Sequence, residues 1–346
     1  MSSAPDYPPG TVVNDRYEFR GKLGRDGSVY EAFDRNLRRV VAFKVLEPRQ
    51  GQSQSWDEAR RLEQLRSEFI VDVLNADVVI NSDIRYIVTP LVPGGDLEQL
   101  ASPVGVGLRS AVRFGQQIAA GIDRVHESNM LHRDVKPANV LLQGDKVRVS
   151  DLEYCIAMDE IGEAEPAGSW CSVAPEAAID NGRCSVRSDI YSLGATVFYL
   201  LSGEYPVDHR LHPAEQRDRI VRGDIRELRE LAPHVPQSVA NVVRRAVRHD
   251  PNKRFDSALA FGNALATAYA NAQDRRRVVH PDHLHCIELD GGTKAPVTIC
   301  AVRNAVGVHL SARHSRNGRR VAGVRDRVVA DANLASELRT LVQECA

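Results

Sequence analysis

The sequence predicts an α+β protein with three parts: a small β-rich lobe, a large helical lobe, and a small C-terminal unit of strands followed by a helix. Three patterns carry this prediction. Short β-branched and aromatic segments dominate up to residue 91, long helical periods follow, and strand-like alternation returns after Arg275. The 346 residues exceed one ordinary domain, and a content of 43% hydrophobic and 26% charged residues is typical of a folded protein.

The β-rich lobe, residues 17–92, is predicted from strand-like segments that are separated by turn residues. These segments cover residues 17–23, 28–34, 40–46, 73–80 and 85–91. One helix over residues 58–65 interrupts them, and Ser55 begins a Ser-x-x-Glu pattern typical of a capping box. The preceding residues 1–16 are predicted to be a Pro-rich leader.

The helical lobe is predicted over residues 93–272, where apolar residues recur at helical spacing. Its predicted helices cover residues 109–128, 187–201, 213–222, 235–248 and 257–273. The stretch between Met130 and Ala178 is rich in loop residues. A long loop region inside a helical lobe is therefore expected.

The third part is predicted to be a small β-plus-helix domain over residues 278–346. Strand-like alternation covers residues 284–289, 297–303, 306–315 and 319–329. The pair Asn317-Gly318 is typical of a hairpin turn, and Asp331 is expected to cap a final helix that ends near Glu344.

Charge and cysteine usage narrow the possible environments and partners. The formal net charge of -1 gives no general attraction to nucleic acid or to a membrane surface. The segment from Arg275 onwards is basic, however, because it contains 12 Arg and Lys but 7 Asp and Glu. Six cysteines without C-x-x-C spacing fit reduced thiols. The first residues lack the basic and apolar regions of a signal peptide, and the longest apolar run is too short to span a bilayer. We therefore expect a cytoplasmic protein.

One stretch carries most of the chemical information. It reads His-Arg-Asp-Val-Lys-Pro-Ala-Asn over residues 132–139, and Asp151 follows after an apolar segment. This complete H-R-D-x-x-x-x-N pattern resembles the catalytic and metal-binding loops of eukaryotic-like (Hanks-type) Ser/Thr protein kinases, here of a soluble bacterial type. The resemblance implies the bilobal protein-kinase fold, with a β-rich N-lobe and a helical C-lobe.

The resemblance also implies the cofactors ATP and Mg²⁺ and a role for each residue. Phosphoryl transfer needs a metal-bound triphosphate held in line with a hydroxyl group. Asp134 would accept or orient the proton of that hydroxyl, and Lys136 would lie against the transferred phosphoryl group. Asn139 and Asp151 would hold magnesium.

The β-rich lobe supplies the matching nucleotide site. Val41-Ala42-Phe43-Lys44 resembles the strand whose lysine contacts the phosphates, and Glu58 stands where the helical partner of Lys44 is expected. Thr89 resembles the gatekeeper, while Pro90 keeps a carbonyl and Val92 an N–H for adenine. The nucleotide-binding residues implied by the resemblance are Gly24, Gly27, Val29, Ala42, Lys44, Thr89, Pro90, Val92, Asn139, Leu141 and Asp151.

Further matches favour a protein as the substrate. Gly168-Ser169 and Ala174-Pro175-Glu176 resemble the loop and platform on which a protein substrate rests, and Arg254 is expected to pair with Glu176. The sequence therefore predicts an ATP- and Mg²⁺-dependent Ser/Thr protein kinase, with the C-terminal domain as a recruitment module.

Two departures leave a nucleotide-binding pseudokinase scaffold as the alternative. The glycine loop is irregular, because Lys22 occupies the position of the first glycine when Gly27 is aligned, and an alignment on Gly24 leaves the loop two residues short. Asp151-Leu152-Glu153 replaces Asp-Phe-Gly. If Glu153 needs a positive φ, the cost is about 1–2 kcal/mol.

The activation segment, residues 154–167, contains no Ser or Thr that could be phosphorylated. It instead carries the carboxylates of Asp159, Glu160, Glu163 and Glu165. One hypothesis is that a fixed carboxylate pairs with Arg133 in place of a phosphate; the other is a solvated acidic loop.

The C-terminal domain contains two further patterns. His280, His283, His285 and Cys286 lack a second ligand pair at zinc-finger spacing, and strand alternation predicts His283 and His285 on one face, so no metal is assigned there. The Arg-rich hairpins over residues 313–327 suggest an anionic partner, but a solvated surface is the default and nucleic acid is not the expected partner.

Overall fold

The N-terminal lobe is an antiparallel sheet that curls around an aromatic core. A computed structural model of the chain describes residues 6–23, 27–46, 56–291 and 295–346, apart from the side chains of residues 57, 58 and 62. The strands are β1 (Val12–Val13), β2 (Tyr17–Leu23), β3 (Val29–Asp34), β4 (Arg39–Leu46), β5 (Asn75–Val78) and β6 (Arg85–Pro90). Their order in the sheet is β1-β2-β3-β4-β6-β5. All five predicted strands are confirmed within a few residues.

Alternation along these strands separates two faces of the sheet. One face buries the aromatic rings of Tyr17, Phe19, Tyr30, Phe43 and Tyr86. These rings pack edge-on or stacked, with centroids 4.3–5.7 Å apart. The opposite face of β3 and β4 is only partly buried and is therefore free to line a site.

The segment predicted as a leader joins this sheet. Strand β1 pairs with β2, and the Tyr7 ring stacks on Phe19 at 4.8 Å. The sheet therefore extends further towards the N-terminus than the composition suggested.

Helix α1 (Asp57–Gln64) lies between β4 and β5, close to the predicted position. It begins after Trp56, which makes no side-chain cap hydrogen bond. The predicted capping residue, Ser55, lies outside the described residues, as does the side chain of Glu58.

The C-terminal lobe is helical, as predicted. Its helices are α2 (Leu97–Ala101), α3 (Leu108–Glu127), α4 (Pro175–Ala178), α5 (Val186–Ser202), α6 (Pro213–Arg222), α7 (Leu228–Leu231), α8 (Gln237–Ala246) and α9 (Ala258–Tyr269). Short strands β7 (Met130–Leu131), β8 (Val140–Gln143), β9 (Lys146–Val149), β10 (Ile156–Ala157), β11 (Glu163–Ala164) and β12 (Cys184–Ser185) lie between α3 and α5. Helices α3, α5, α8 and α9 enclose the main apolar core.

Helix α5 is the central element of this lobe because it is buried along nearly its whole length. A capping box starts it: the Ser185 side chain accepts a backbone N–H, and Ser188 bonds back to the Ser185 backbone. Gly203 ends it in the left-handed conformation with φ 77°. Its first turn also carries Asp189, whose buried carboxylate supports the candidate site described below.

The C-terminal unit is a five-stranded antiparallel meander packed against one helix. Its elements are β13 (Arg275–Val278), β14 (His285–Leu289), β15 (Val297–Arg303), β16 (Val308–His314), β17 (Arg327–Val329) and α10 (Leu334–Cys345). Ile287, Ile299, Leu310 and Leu341 lie in the apolar core between this sheet and α10.

Three details of this unit differ from the prediction. Asp331 does not cap α10, whose N-cap is Asn333, and its carboxylate instead pairs with Arg303. Strand β13 was not predicted, because its Arg-rich sequence shows no alternation of apolar and polar residues. The change of composition at Arg275 does mark where it begins.

The segment predicted as a strand over residues 319–329 is strand only over its last three residues. Gly318 does turn the chain, with φ 68°, but only one bridge, Arg313 to Arg320, follows the turn.

The C-terminal unit contacts the helical lobe through polar groups. Arg339 donates to the Arg229 carbonyl and the Glu230 carboxylate, and Arg275 donates to the His234 carbonyl. The Arg109 backbone N–H donates to Asp274 at 2.8 Å. Among the described helices, none combines the length and the apolar character that crossing a bilayer requires.

Candidate active site

The H-R-D loop is held in place by a buried carboxylate on α5. Asp189 accepts the backbone N–H groups of His132 and Arg133, each at 2.8 Å, and contacts His126 Nε2 at 2.8 Å. Burial alone raises the pKa of Asp189, but the hydrogen bonds from His126 and His132 outweigh burial and lower it below the ordinary value. Asp189 therefore remains ionised and fixes the loop backbone.

Asp134 is the focus of this loop and is almost fully buried. Its Oδ2 accepts hydrogen bonds from Lys136 Nζ at 2.8 Å and from Asn139 Nδ2 at 3.0 Å. Its Oδ1 accepts the Ser169 backbone N–H at 2.9 Å. Three of the predicted site residues are thus brought together around one carboxylate.

Ser169 links the H-R-D loop to the end of the activation segment. Its Oγ accepts a hydrogen bond from Lys136 Nζ at 2.6 Å. The preceding Gly168 has φ 94°, and a Cβ there would lie 2.2 Å from the Arg133 carbonyl oxygen. Only glycine allows this close approach. The sequence identified the Gly-Ser pair, but not its direct contact with Asp134.

Lys44 and Asp151 form an ion pair between the lobes, 2.7 Å from Nζ to Oδ1. Burial raises the pKa of Asp151, but the positive charge of Lys44 outweighs it, and the pKa lies below the ordinary value. The predicted partnership of Lys44 with Glu58 concerns a side chain outside the described residues. Lys44 Nζ also lies 3.5 Å from the Glu153 carboxylate.

Glu153 does not take the positive φ that would have strained it. Glu153 belongs to a turn of 3-10 helix, Leu152–Tyr154, and the positive φ of 58° falls on Asp151 instead. Leu152 is fully buried beside Ala59 of α1 and Met130 of β7. The Leu-Glu replacement of Phe-Gly therefore costs no left-handed backbone at Glu153.

One face of the N-lobe sheet presents the predicted nucleotide-binding residues. Val29 lies opposite Lys44, and Ala42 lies opposite Thr89. Paired residues of antiparallel strands share a face, as do residues two apart on one strand. These four side chains therefore lie on the face that reaches Asp151.

The remaining predicted nucleotide-binding residues lie in three places: the segment between the two lobes, strand β8 of the C-lobe, and the glycine loop of the N-lobe. Pro90 ends β6 and is partly exposed, whereas Val92 is buried. Leu141 lies on β8, directly after the Asn139 turn. Gly27 has φ 71°, which favours glycine. Gly24 lies outside the described residues.

The predicted pairing of Glu176 with Arg254 is confirmed. Glu176 forms a bidentate ion pair with the fully buried Arg254, with N–O distances of 2.6 and 2.7 Å. Glu176 also accepts a hydrogen bond from the Ser188 hydroxyl. Since Arg254 also donates to the Arg187 carbonyl at 2.8 Å, these contacts attach the short helix α4 to α5.

The activation segment is held by a residue that sequence reasoning missed. Arg183 pairs with Asp159, with Glu163 at 3.3 Å and with Glu165 at 2.6 Å. Strand β11 of the segment also pairs with β12, directly after Arg183. Three of the four acidic residues in the segment thus share one guanidinium.

Arg133 has a different set of partners. It donates to the backbone carbonyl of Tyr154 at 2.7 Å and to that of Glu165 at 2.5 Å. The Arg133 side chain therefore contacts backbone carbonyls at both ends of the activation segment. One hypothesis paired a carboxylate of the segment with Arg133; three of the four carboxylates pair with Arg183.

The chain belongs to the protein kinase domain family, whose model matches residues 17–267. Among curated proteins it resembles the serine/threonine-protein kinase PrkC of Bacillus subtilis, with 28% identity over 75% of this chain and 41% of that protein. It resembles the serine/threonine-protein kinase PknL of Mycobacterium tuberculosis, with 29% identity over 73% of this chain and 66% of that protein.

A third relative aligns over most of the chain. This is the DNA damage-responsive serine/threonine-protein kinase RqkA of Deinococcus radiodurans, with 29% identity over 94% of this chain and 54% of that protein. The chain spans about two fifths of the length of the first relatives it matches.

Proposed function

We propose that this chain is a Ser/Thr protein kinase that transfers the γ-phosphoryl group of ATP to a protein hydroxyl in the presence of Mg²⁺. The observation that carries the proposal is the arrangement around Asp134. Its carboxylate is oriented by Lys136, Asn139 and Ser169, beside an Asp151 that is paired with Lys44. This arrangement suits phosphoryl transfer, where catalysis depends on positioning and charge.

Asp134 is proposed as the catalytic base. Its Oδ2 would accept the proton of the substrate hydroxyl while the Ser169 N–H holds Oδ1. The burial of Asp134 and its three hydrogen bonds restrict the carboxylate to one orientation. A substrate hydroxyl that approaches beside Ser169 would therefore find Asp134 Oδ2 already oriented to accept its proton.

Two lysines would stabilise the transferred charge. Burial lowers the pKa of Lys136, but the Asp134 carboxylate outweighs burial, and the pKa lies above its ordinary value. Lys136 thus stays protonated next to the base. Lys44, anchored by Asp151, would contact the phosphates of the nucleotide.

The residues present fit magnesium and a nucleotide. Bound Mg–ATP supplies the transferable phosphoryl group and a cation that neutralises its charge. Asn139 uses its amide N–H groups on Asp134, and among the described residues no group donates to its Oδ1. Asn139 Oδ1 and the Asp151 carboxylate are therefore hard oxygen ligands of the kind that Mg²⁺ prefers.

A protein substrate is supported by the platform next to Asp134. The Ser169 backbone N–H donates to Asp134, and helix α4, a few residues further along the chain, is held by the buried pair of Glu176 with Arg254. The segment before it is ordered by Arg183 without any phosphorylatable residue in positions 154–167 apart from Tyr154. We infer that the kinase does not need Ser or Thr phosphorylation of this segment for activity.

The C-terminal unit is proposed as a recruitment module. Arg313, Arg320 and Arg327 are engaged by carboxylates of the unit itself. Arg316, Arg319 and Arg325 are exposed, and none has an ion-pair partner within the described part of the chain. These three arginines are the best candidates to contact an anionic partner. Cytoplasmic localisation stays a prediction from the sequence.

The competing function is a pseudokinase scaffold that binds nucleotide without transfer. Its main support was the Asp-Leu-Glu replacement, which would be costly if Glu153 needed a positive φ, and Glu153 does not take one. What remains is the irregular glycine loop, whose residues 24–26 lie outside the described residues, and the carboxylate of Glu153 beside Lys44, where the phosphates are expected. A local charge can weaken nucleotide binding without removing the base, so active transfer is the better-supported function.

Transfer of labelled phosphate from ATP and Mg²⁺ to the chain itself and to a generic basic protein tests the proposal. Asp134→Asn should lower the rate by about 10²–10⁴-fold, because it removes the proton acceptor. Asp145→Asn, a change at an exposed carboxylate, serves as the matched control and should keep the rate. Wild-type chain that binds ATP but transfers no phosphate would establish the scaffold instead.

A further inference from the structure

Two thiols face each other across the sheet of the C-terminal unit. Cys286 on β14 and Cys300 on β15 are directly paired, and their Sγ atoms lie 3.3 Å apart. Their neighbours Ile287 and Ile299 point the opposite way, into the core under α10. The thiols therefore lie on the sheet face away from that helix.

The connection between β13 and β14 brings two imidazoles onto these thiols. His280, Pro281, Asp282 and His283 form a tight turn, in which the His283 N–H donates to the His280 carbonyl and Asp282 has φ 63°. His283 Nδ1 lies 3.1 Å from Cys286 Sγ, and His280 Nδ1 lies 3.4 Å from Cys300 Sγ. Each imidazole thus meets a different thiol.

The four side chains have the composition and spacing of a closed metal site. The ligand atoms of His280, His283, Cys286 and Cys300 all lie within 4.8 Å of one another. Zinc binds thiolate sulfur at about 2.3 Å and imidazole nitrogen at about 2.0–2.1 Å, so the edges of its tetrahedron measure about 3.3–3.8 Å. The three measured contacts, 3.1–3.4 Å, are close to these edges.

Neither a disulfide nor simple packing accounts for all of these contacts. A disulfide would need an S–S distance of about 2.05 Å and would leave both imidazoles without a role. Packing explains neither the convergence of four soft donor atoms nor the turn that delivers two of them. A second group, Glu204 with Asp208 and His209, is different because Arg210 and Arg226 already pair with its carboxylates.

The sequence assigned no metal here because no second ligand pair stands at zinc-finger spacing and because alternation was extended back to His283. Alternation placed His283 and His285 on one face, but β14 begins at His285, and His283 belongs to the preceding turn. His283 therefore faces Cys286, whereas His285 is buried on the other side of the strand. The second cysteine, Cys300, lies fourteen residues further along and joins the site only through strand pairing.

We propose that His280, His283, Cys286 and Cys300 bind one zinc ion in a structural Cys₂His₂ site. Four protein ligands complete a tetrahedron and leave no open position for substrate, so the site is structural and not catalytic. Binding releases the two thiol protons, and the two thiolates neutralise the charge of the cation. The zinc fixes the β13–β14 connection onto a small sheet whose apolar core is limited.

Metal analysis of the chain tests this proposal. The chain is loaded with Zn²⁺ under reducing conditions, freed of loosely bound metal by gel filtration, and analysed by mass spectrometry. We expect about one zinc per chain, which falls at least tenfold in the Cys286→Ser/Cys300→Ser double variant. Cys345→Ser, in α10 of the same unit, and His309→Asn, on β16, are the matched controls and should retain the metal.

A second measurement needs no variant and avoids any failure of the double variant to fold. Wild-type chain loaded with Co²⁺ should show thiolate-to-cobalt charge-transfer absorption and the strong visible bands of a tetrahedral site. Zinc content that is unchanged in the double variant would overturn the proposal, as would a wild-type chain that takes up neither metal. A Cys286–Cys300 disulfide in protein kept under reducing conditions would also overturn it.

Discussion

The catalytic loop and the activation segment are adjacent in the molecule but are held in place by different kinds of interaction. The loop rests on Asp189, a fully buried carboxylate whose partners are mainly backbone N–H groups. The segment rests on Arg183, about one third exposed, whose partners are three surface carboxylates. Buried interactions resist salt and solvent, whereas exposed ion pairs are screened. The loop should therefore be a rigid part of the fold, and the segment the part that conditions can loosen.

The largest effect is expected at Asp189. Asp189→Asn replaces one acceptor oxygen with a donor that faces a backbone N–H, and should cost about 3 kcal/mol of unfolding free energy. Urea denaturation measures this change, with the exposed Asp224→Asn as control. A difference below about 0.5 kcal/mol would contradict the central role of this carboxylate.

The pH dependence of the stability difference between wild type and Asp189→Asn sharpens the test. The pKa of folded Asp189 lies below the ordinary aspartate value, so its contribution is fully present above about pH 4 and is lost as the pH falls through the folded value. The difference in stability between wild type and Asp189→Asn should therefore stay constant from pH 7 to pH 5 and shrink below about pH 4. A difference that grows on acidification would show that the sign is wrong.

A smaller effect is expected at Arg183. Arg183→Ala removes three exposed ion pairs, so we expect about a fivefold fall in kcat and faster proteolysis within residues 156–165. The matched control is Arg222→Ala at the end of α6, which should change neither. Raising the salt concentration should lower the wild-type rate and affect the variant less. Equal rates and equal proteolysis in wild type and Arg183→Ala would show that something else orders the segment.

The smallest effect is expected at Glu153. Its carboxylate lies 3.5 Å from Lys44 Nζ and is partly exposed. Glu153→Gln removes a negative charge near the proposed phosphate position and should lower the KM for ATP about threefold, with kcat nearly unchanged. The control is Glu160→Gln in the activation segment. An increase in KM would indicate that Glu153 helps to position Lys44.

The loop and the segment also differ in how much of their structure could be predicted from the sequence. The catalytic loop is a contiguous pattern with fixed spacing, so residues 132–139 identified Asp134, Lys136 and Asn139, and the strands and helices around them followed from periodicity. The pairing of Glu176 with Arg254 was also predicted, because both residues belong to recognisable motifs.

Contacts between distant and individually ordinary residues were not predictable. Nothing in the sequence distinguishes Arg183 from other arginines. Its role depends on the fold, which brings it to three carboxylates of the activation segment. Cys300 joins His280 only through the register of β14 and β15. The sequence left open whether Glu153 takes a positive φ, because the side-chain pattern does not reveal which residue of a turn does so; the positive φ lies at Asp151.

Phosphate transfer by dephosphorylated protein tests the central claim most directly, because the claim joins an intact base to a segment ordered without phosphate. Wild-type chain is treated with a phosphatase, separated from it, and given labelled ATP, Mg²⁺ and a basic protein substrate. We predict an initial rate within about twofold of untreated chain, and a rate at least about 100-fold lower for Asp134→Asn. A treated wild-type chain that binds ATP but transfers no phosphate would contradict the account.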